Sequence, residues 1–256
     1  MGVTMTLDSV AGNVQALDRV LATVRQMTGL KPFLRFELAL AHGPVPVAQV
    51  MCGDVSLEFL EHARGQHPPG TGRIRSVLIE IPGRGPEERE LEPGLWLAVR
   101  PGPRRRVAEI QVESGAMKED LDVLRGACGA GPVANGAGGE SRLELGNTAL
   151  CFSALPGPTP PLMADAGQRL PGWHRIGLAC RRLEEAASAL VQAGGRVEVP
   201  PYQVLPGLRE AMLRLPSGLV VQPVEQKLWQ MLPAVGAQAL ACKLTGRPLR
   251  FSTREV

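Results

Sequence analysis

The sequence predicts an α+β fold built from a repeated module of one strand, one helix and three further strands. A hairpin signature occurs twice: Gly53 to Phe59 and Gly146 to Phe152 share Gly, an Asp or Asn, Leu and Phe at the same offsets. Gly followed by Asp or Asn favours a tight turn, and the next residues alternate as in a strand. A strand and a helix with an apolar stripe precede each hairpin, and a third copy of the same order follows.

The first copy begins with a strand predicted over Val3 to Leu7. Apolar residues from Val14 to Met27 then recur at helical spacing. Asn13 is the expected helix cap and Gly29 the expected stop.

The second copy has a shorter body. Its first strand is predicted over Val107 to Val112, and Met117, Leu121 and Leu124 form a helical stripe. A loop rich in Gly and Ala, from 126 to 139, precedes a strand over Arg142 to Leu145.

The third copy has the clearest pattern. A strand is predicted over Arg175 to Cys180 and a helix over Leu183 to Ala193, which ends at two glycines. Strands over Val197 to Val199, Ala211 to Leu215 and Leu219 to Val224 complete it, the last two around a Pro-Ser-Gly turn.

Two further strands, Ile74 to Ile81 and Leu95 to Val99, lie between the first and second copies, with no helix between them. They predict either a degenerate half-module or an extra hairpin that covers a sheet edge. The expected organisation is therefore a module plus hairpin at 1–103, two paired modules at 104–226, and a C-terminal helix and tail at 227–256.

Composition narrows the class of protein. The chain has 256 residues, 28 Lys plus Arg against 25 Asp plus Glu, and 44% hydrophobic residues, which is typical of a globular protein. Aromatic residues make up only 4%, too few for a base-stacking surface, so no nucleic-acid partner is expected. No membrane partner is expected either, because no apolar run reaches membrane-spanning length. Five separated cysteines without metal-binding spacing favour a reducing compartment, the cytoplasm.

The third copy, with Ile176-Gly177-Leu178-Ala179, Leu183-Glu184-Glu185-Ala186, Ala193-Gly194-Gly195 and Leu215-Pro216-Ser217-Gly218, resembles the vicinal oxygen chelate superfamily. Its members include glyoxalase I, bleomycin-resistance proteins, extradiol dioxygenases and methylmalonyl-CoA epimerase. The resemblance implies modules paired into cupped, antiparallel-rich sheets, with a divalent metal at the centre of the cup bound by His or carboxylate side chains of the first and last strands. A homodimer is also compatible with it.

The resemblance assigns two positions of each copy to the cup. They are Thr4 and Glu58 in the first copy, Val107 and Cys151 in the second, and Arg175 and Gln222 in the third. His174 precedes Arg175, and strand alternation predicts that its side chain points to the opposite face. Only Glu58 is an ordinary metal ligand, whereas catalytic metal sites need about three protein ligands, so no metal or other cofactor is expected. A register shifted by one residue would return His174 to the cup and allow Fe, Zn, Mn or Ni.

The expected function is binding of a small oxygenated or aromatic molecule in the cup by Thr4, Glu58, Cys151, Arg175 and Gln222. Sequestration, as in bleomycin-resistance proteins, and metal-free chemistry with Glu58 and Arg175 as catalytic residues both fit. A metal-dependent, glyoxalase-like lyase, isomerase or dioxygenase is an alternative, and a scaffold or dimerisation module is another. Whether the protein is an enzyme stays open at this point.

Overall fold

The computed structural model describes residues 3–40, 43–61, 73–130, 134–135, 139–155, 172–227, 229–231, 233, 236 and 249–252. Three helices are bounded within these ranges: α1 (Leu17–Thr28), α2 (Met117–Cys128) and α3 (Leu183–Gln192). The strands are β1 (Thr6–Val14), β2 (Leu34–Leu40), β3 (Gly43–Cys52), β4 (Val55–Glu61), β5 (Arg73–Glu80), β6 (Glu87–Glu92), β7 (Leu95–Arg100), β8 (Arg106–Ser114), β9 (Ala134–Asn135), β10 (Ser141–Leu145), β11 (Thr148–Ala154), β12 (Gly172–Cys180), β13 (Arg196–Leu205), β14 (Leu208–Arg214), β15 (Val220–Gln226) and β16 (Leu249–Ser252).

The described strands form two sheets. The nine-stranded sheet has the order β13-β14-β15-β12-β1-β4-β3-β2-β16, and the seven-stranded sheet has the order β6-β7-β5-β8-β11-β10-β9. The predicted α+β class and the curved, antiparallel-rich architecture are therefore confirmed.

The modules pair differently from the expectation for 104–226. The first strand of the third copy, β12, pairs antiparallel with β1, so the first and third copies share the nine-stranded sheet. The second copy pairs instead with the half-module, through β8 and β5. The antiparallel partner of the first strand of the second copy is therefore β5, and that of β12 is β1.

The segment between the first and second copies is a module without its helix. Strand β5 lies inside its sheet, next to β8 and parallel to β7, as the first strand of a complete module does. Strand β6 was not predicted, because its residues are mostly charged; it lies at the sheet edge, where charge is common.

The first strand lies further along the chain than the predicted Val3 to Leu7. Strand β1 extends to Val14, so Asn13 lies in the strand and does not cap α1. The Glu92 carboxylate, from the half-module, accepts the backbone N–H groups of Gln15 and Ala16 at 2.5 and 3.0 Å. A negative charge at this position also complements the helix dipole.

One apolar cluster contains residues of both sheets and all three helices. Trp173 is fully buried there, packs against Phe59 at a ring-centroid distance of 5.4 Å, and donates its indole N–H to the Trp96 carbonyl at 2.8 Å. A bulky aromatic pair of this kind contributes strongly to core stability. The junction between the two sheets is therefore part of the main core.

The opposite face of the nine-stranded sheet forms a cup with its own apolar cluster. The cup has two arms, one formed by strands β1 to β4 of the first module and the other by β12 to β15 of the third. Its buried apolar residues come from both arms: Ala11, Phe36, Val45, Val47, Leu60 and Leu205. Strand β16 pairs with β2 at one edge and also contacts β13 at the other. The two edges of the cup are therefore close together.

The C-terminal helix and tail predicted at 227–256 lie largely outside the described residues; positions 229–231, 233 and 236 are helical. Met231 packs against the apolar cluster of the cup. In the described part of the chain, none of the helices has both the length and the apolar character required to cross a bilayer.

Candidate functional site

A row of side chains crosses the centre of the cup. Ala11 of β1 is aligned with Glu58 of the parallel strand β4 and with Arg175 of the antiparallel strand β12. Because Ala11 is small, the long side chains on either side can meet across it. The first and third modules thus each supply one charged group.

Glu58 and Arg175 form a buried ion pair. Arg175 Nη2 donates to Glu58 Oε2 at 2.6 Å, and the two side chains are only 12% and 11% exposed. Gln49 Nε2 donates to the other carboxylate oxygen at 3.1 Å. Burial lowers the pKa of the Arg175 guanidinium, but Glu58 and Glu210 outweigh that effect, so its pKa is raised and the group is charged.

A second carboxylate lies on the other arm of the cup. Glu210 accepts hydrogen bonds from Gln222 Nε2 at 2.6 Å and from the hydroxyl of Tyr202. Burial raises the pKa of Glu210, and the charge of Arg175 opposes that rise. The cup therefore surrounds one guanidinium with two carboxylates from different modules.

Two polar atoms in this region have no hydrogen-bond partner among the described residues. They are Arg175 Nε and Ser56 Oγ, and both are shielded from solvent. Ser56 and Glu58 lie two residues apart on β4, so they share the cup face. A buried donor without a partner is uncommon, and it gives the cup unused hydrogen-bonding capacity.

A register shift in β12 changes the position of His174. Ala11 pairs with Arg175 and the next residue, Gly12, pairs with Trp173, so His174 is skipped. Trp173 and Ile176 both lie in the main core although they are three residues apart, so β12 does not alternate strictly between them. The strict alternation on which the prediction for His174 depends is therefore interrupted at this point of β12, and the face to which His174 points stays a prediction.

Comparison with solved structures establishes the architecture. Glyoxalase I from Zea mays superposes with a TM-score of 0.67 at 15% identity, covering 91% of this chain and 96% of that chain. A proposed dioxygenase from Bacillus subtilis subsp. subtilis str. 168 superposes with a TM-score of 0.64 at 12% identity over 100% of both chains. The chain has the vicinal oxygen chelate fold. No family model matches the sequence, and no curated protein matches it.

The vicinal oxygen chelate fold brings together three of the predicted site residues. Glu58 and Arg175 are in contact, and Gln222 joins them through Glu210. Thr4 is exposed and precedes β1, because that strand begins at Thr6. Cys151 belongs to β11 in the other sheet, and Val107 is fully buried in the main core.

Three residues around the ion pair, Gln49, Tyr202 and Glu210, were not among the predicted site residues. A strand was predicted from Ala211 onward, whereas β14 begins at Leu208 and so includes Glu210. Alternation from Met212 along an extended β14 would have placed Glu210 on the cup face. The register of the β3–β4 hairpin, which aligns Gln49 with Glu58, would have identified Gln49.

Cys151 lies outside the cup, on the seven-stranded sheet, between Leu150 and Phe152 of the main core. Its sulfur lies 3.7 Å from Arg142 Nη1, and Arg142 also donates to Glu109 at 3.1 Å. Burial, reinforced by Glu109, raises the pKa of the thiol to about 11. The neutral thiol at ordinary pH is a poor nucleophile.

The side chains at the centre of the cup do not fit a divalent metal. Among the residues that the structure describes, no three His, Cys, Asp or Glu side chains are grouped as a metal site would require. Arg175, which only donates hydrogen bonds, lies against Glu58 at the cup centre. The absence of a metal stays a prediction.

A cavity of about 290 Å³ opens outside the cup, near the β13–β14 turn. Its charged side chains are already paired, since Glu225 contacts Lys227 at 2.8 Å and Arg209 at 3.2 Å. Glu225 also accepts the backbone N–H of Leu183 at the start of α3. These contacts give the charged residues of this cavity a structural role. We therefore place the candidate site in the cup.

Proposed function

We propose that the cup of the nine-stranded sheet binds a small oxygenated or aromatic molecule without a divalent metal. The observation that supports this best is the buried Glu58–Arg175 pair with Arg175 Nε unpartnered among the described residues. A carbonyl, phenolate or carboxylate oxygen of a ligand would accept that N–H in a charge-assisted hydrogen bond. Apolar side chains of both arms surround the pair and suit an aromatic ring.

Sequestration fits this geometry better than acid/base chemistry. Both oxygens of the Glu58 carboxylate already accept hydrogen bonds, one from Gln49 and one from Arg175. A base bound in this way has to break an ion pair before it can take a proton. A metal-free reaction in which Glu58 transfers a proton and Arg175 stabilises an oxyanion is the second candidate, favoured by their direct contact.

The test is a thermal-shift screen followed by calorimetry on the full chain. The probes are benzoate, salicylate, catechol and small 2-oxo acids, each with and without EDTA. We expect at least one probe to raise the melting temperature equally in both conditions, because binding to the native state stabilises it. Stabilisation that EDTA abolishes would instead support a metal-dependent glyoxalase-like activity.

Matched variants locate the site. Arg175→Ala should weaken binding by about 10- to 150-fold, the equivalent of a charge-assisted hydrogen bond. Arg209→Ala is the control, because Arg209 lies on the outer face of the same sheet, paired with Glu225. Equal affinity in wild type and Arg175→Ala would overturn the proposed site. Binding of none of the probes would favour the scaffold or dimerisation alternative, which light scattering would test.

We also infer a reducing compartment, the cytoplasm. Four cysteines, Cys52, Cys128, Cys151 and Cys180, are free thiols in the structure. Titration of denatured protein with a thiol reagent should count all of the cysteines as reduced after isolation under anaerobic conditions. Recovery of a disulfide among these four would contradict the inference.

A further inference from the structure

We propose that the Arg175 guanidinium is the resident cation of the cup, and that its removal creates a binding site for a divalent metal. The inference rests on the metal-free part of the proposed function and on no particular ligand. It is drawn from the disagreement between the fold, which resembles that of metal-binding proteins, and the side chains found at the cup centre.

The positions of the charged groups support the first step. Glu58 lies on the last strand of the first module, and Arg175 lies on the first strand of the third. These are the strand positions from which the resemblance predicts metal ligands. Arg175 is thus placed where a ligand is expected, but it contributes a positive charge in place of a lone pair.

The second step concerns charge. The guanidinium of Arg175 is hydrogen-bonded to Glu58 and attracted by Glu210. It therefore neutralises carboxylates from two modules, as a bound metal ion would. A divalent ion entering the cup would be repelled by the guanidinium and would compete with it for the same Glu58 oxygen.

The third step concerns what is left without the guanidinium. The carboxylates of Glu58, which is buried, and Glu210, which is partly buried, would remain, with the side-chain amide of Gln222 hydrogen-bonded to the second. Buried like charges must either take up a proton or bind a cation. Oxygen ligands of this type suit hard ions such as Mn²⁺.

The experiment is titration of the full chain with Mn²⁺, followed by electron paramagnetic resonance of the free ion. Wild type should show no saturable binding below about 1 mM, whereas Arg175→Ala should bind one Mn²⁺ per chain at least about tenfold more tightly. Arg175→Lys should behave as wild type, because the ammonium group keeps the positive charge. Arg209→Ala controls for the loss of an arginine elsewhere.

A double variant assigns the metal to the cup. Arg175→Ala with Glu58→Gln should lose the Mn²⁺ binding gained by Arg175→Ala, because one of the two carboxylates is removed. If Arg175→Ala is unfolded alone, Mn²⁺ should restore a cooperative thermal transition in it and not in the double variant.

Three results would overturn the inference. They are stoichiometric Mn²⁺ binding by wild type with the affinity of Arg175→Ala, a folded Arg175→Ala that binds no Mn²⁺, and an unfolded Arg175→Ala that Mn²⁺ does not rescue. None of these depends on the organic probes. Failure of the ligand screen and failure of this inference are therefore distinguishable.

Discussion

Glu58 and Arg175 are 117 positions apart in the chain, and Glu58 Oε2 accepts a hydrogen bond from Arg175 Nη2 at 2.6 Å. The contact exists because β1 lies between their strands and presents only the methyl group of Ala11 at that level. It links the first and third modules at the centre of the cup. The pair is thus both the core of the candidate site and a tertiary contact.

Glu58→Gln should destabilise the protein by about 3 kcal/mol, since it leaves the buried Arg175 charge only partly compensated. Urea unfolding would measure the loss. Glu61→Gln, an exposed position on the same strand, should change stability by less than about 0.5 kcal/mol. Equal effects of the two substitutions would contradict the importance of the ion pair.

Glu80→Gln should lower the stability of the protein at neutral pH and much less at acid pH. Glu80 accepts hydrogen bonds from Arg106 Nε at 2.6 Å and Arg100 Nη2 at 2.8 Å, and the first of these contributes most to lowering its pKa to about 2. Because the folded-state pKa lies below the usual 4.5, this stabilisation is present above pH 4.5 and is lost as the pH falls towards 2.

The expected result is a Glu80→Gln variant about 1 to 2 kcal/mol less stable than wild type at pH 7, after allowance for solvent around the arginines. The difference should shrink between pH 4.5 and 2. Glu88→Gln, exposed on the edge strand β6 of the same sheet, is the control. A difference that is constant over this pH range would argue against titration of Glu80.

Asp8→Asn should have the opposite pH dependence. Burial, with a contribution from Glu58, raises the pKa of Asp8 from 3.8 to about 6. The folded state therefore favours the protonated form, so its contribution to stability is full below pH 3.8 and is lost as the pH rises through about 6.

Asp8→Asn should consequently be more stable than wild type at pH 7, by about 1 to 3 kcal/mol, and nearly equal to it at pH 4. Its amide oxygen can still accept from Gln226, which donates to Asp8 at 3.0 Å. Chemical denaturation at several pH values would measure the change, with Asp122→Asn as an exposed comparison. A variant less stable than wild type at pH 7 would refute the prediction.

Asp120→Ala should weaken the contact between the second module and the third, which Asp120 links through Ser217. Asp120 is fully buried in α2, accepts the backbone N–H of Ser217 at 3.0 Å, and accepts the Ser114 hydroxyl at 2.8 Å. Removal leaves two buried donors without a partner, which costs about 2 to 4 kcal/mol. Asp122→Ala, exposed on the same helix, is the control.

Hydrogen exchange would test the role of Asp120 as a link between modules. We expect faster exchange at the turn around Ser217 in Asp120→Ala than in wild type or Asp122→Ala. A uniform change over the whole chain would show that the substitution lowers global stability without loosening this junction.

Gly177→Ala should disturb the floor of the cup. A Cβ at this position would lie 2.0 Å from Ser9 Oγ and 3.2 Å from the Ser9 backbone nitrogen. We expect a loss of about 1 to 3 kcal/mol, partly restored by adding Ser9→Ala, which removes the nearest atom. Gly85→Ala, with open space around it, should be neutral. If Ser9→Ala restores none of the lost stability, the loss comes from the contact of the new Cβ with the Ser9 backbone and not with its hydroxyl.

The sequence alone determined the repeated module and the local elements within it. Helical spacing located α1, α2 and α3, and the Gly-Asp and Gly-Asn pairs located the hairpin turns at Gly53 and Gly146, both of which have positive φ. These features depend on residues close together in the chain, whose periodicity and turn chemistry act locally. The resemblance to the vicinal oxygen chelate superfamily, applied to these local elements, assigned Glu58 and Gln222 to the cup.

Only the tertiary structure decided which modules share a sheet, and therefore which charges meet. Pairing of β1 with β12 brings Glu58 to Arg175, and no pattern in either module encodes that choice. The bulge at His174 interrupted the alternation predicted for β12, so Trp173 before it lies in the main core while Arg175 keeps its predicted place in the cup. Glu210 and Tyr202 joined the site through the same long-range register, which depends on the packing of the whole sheet.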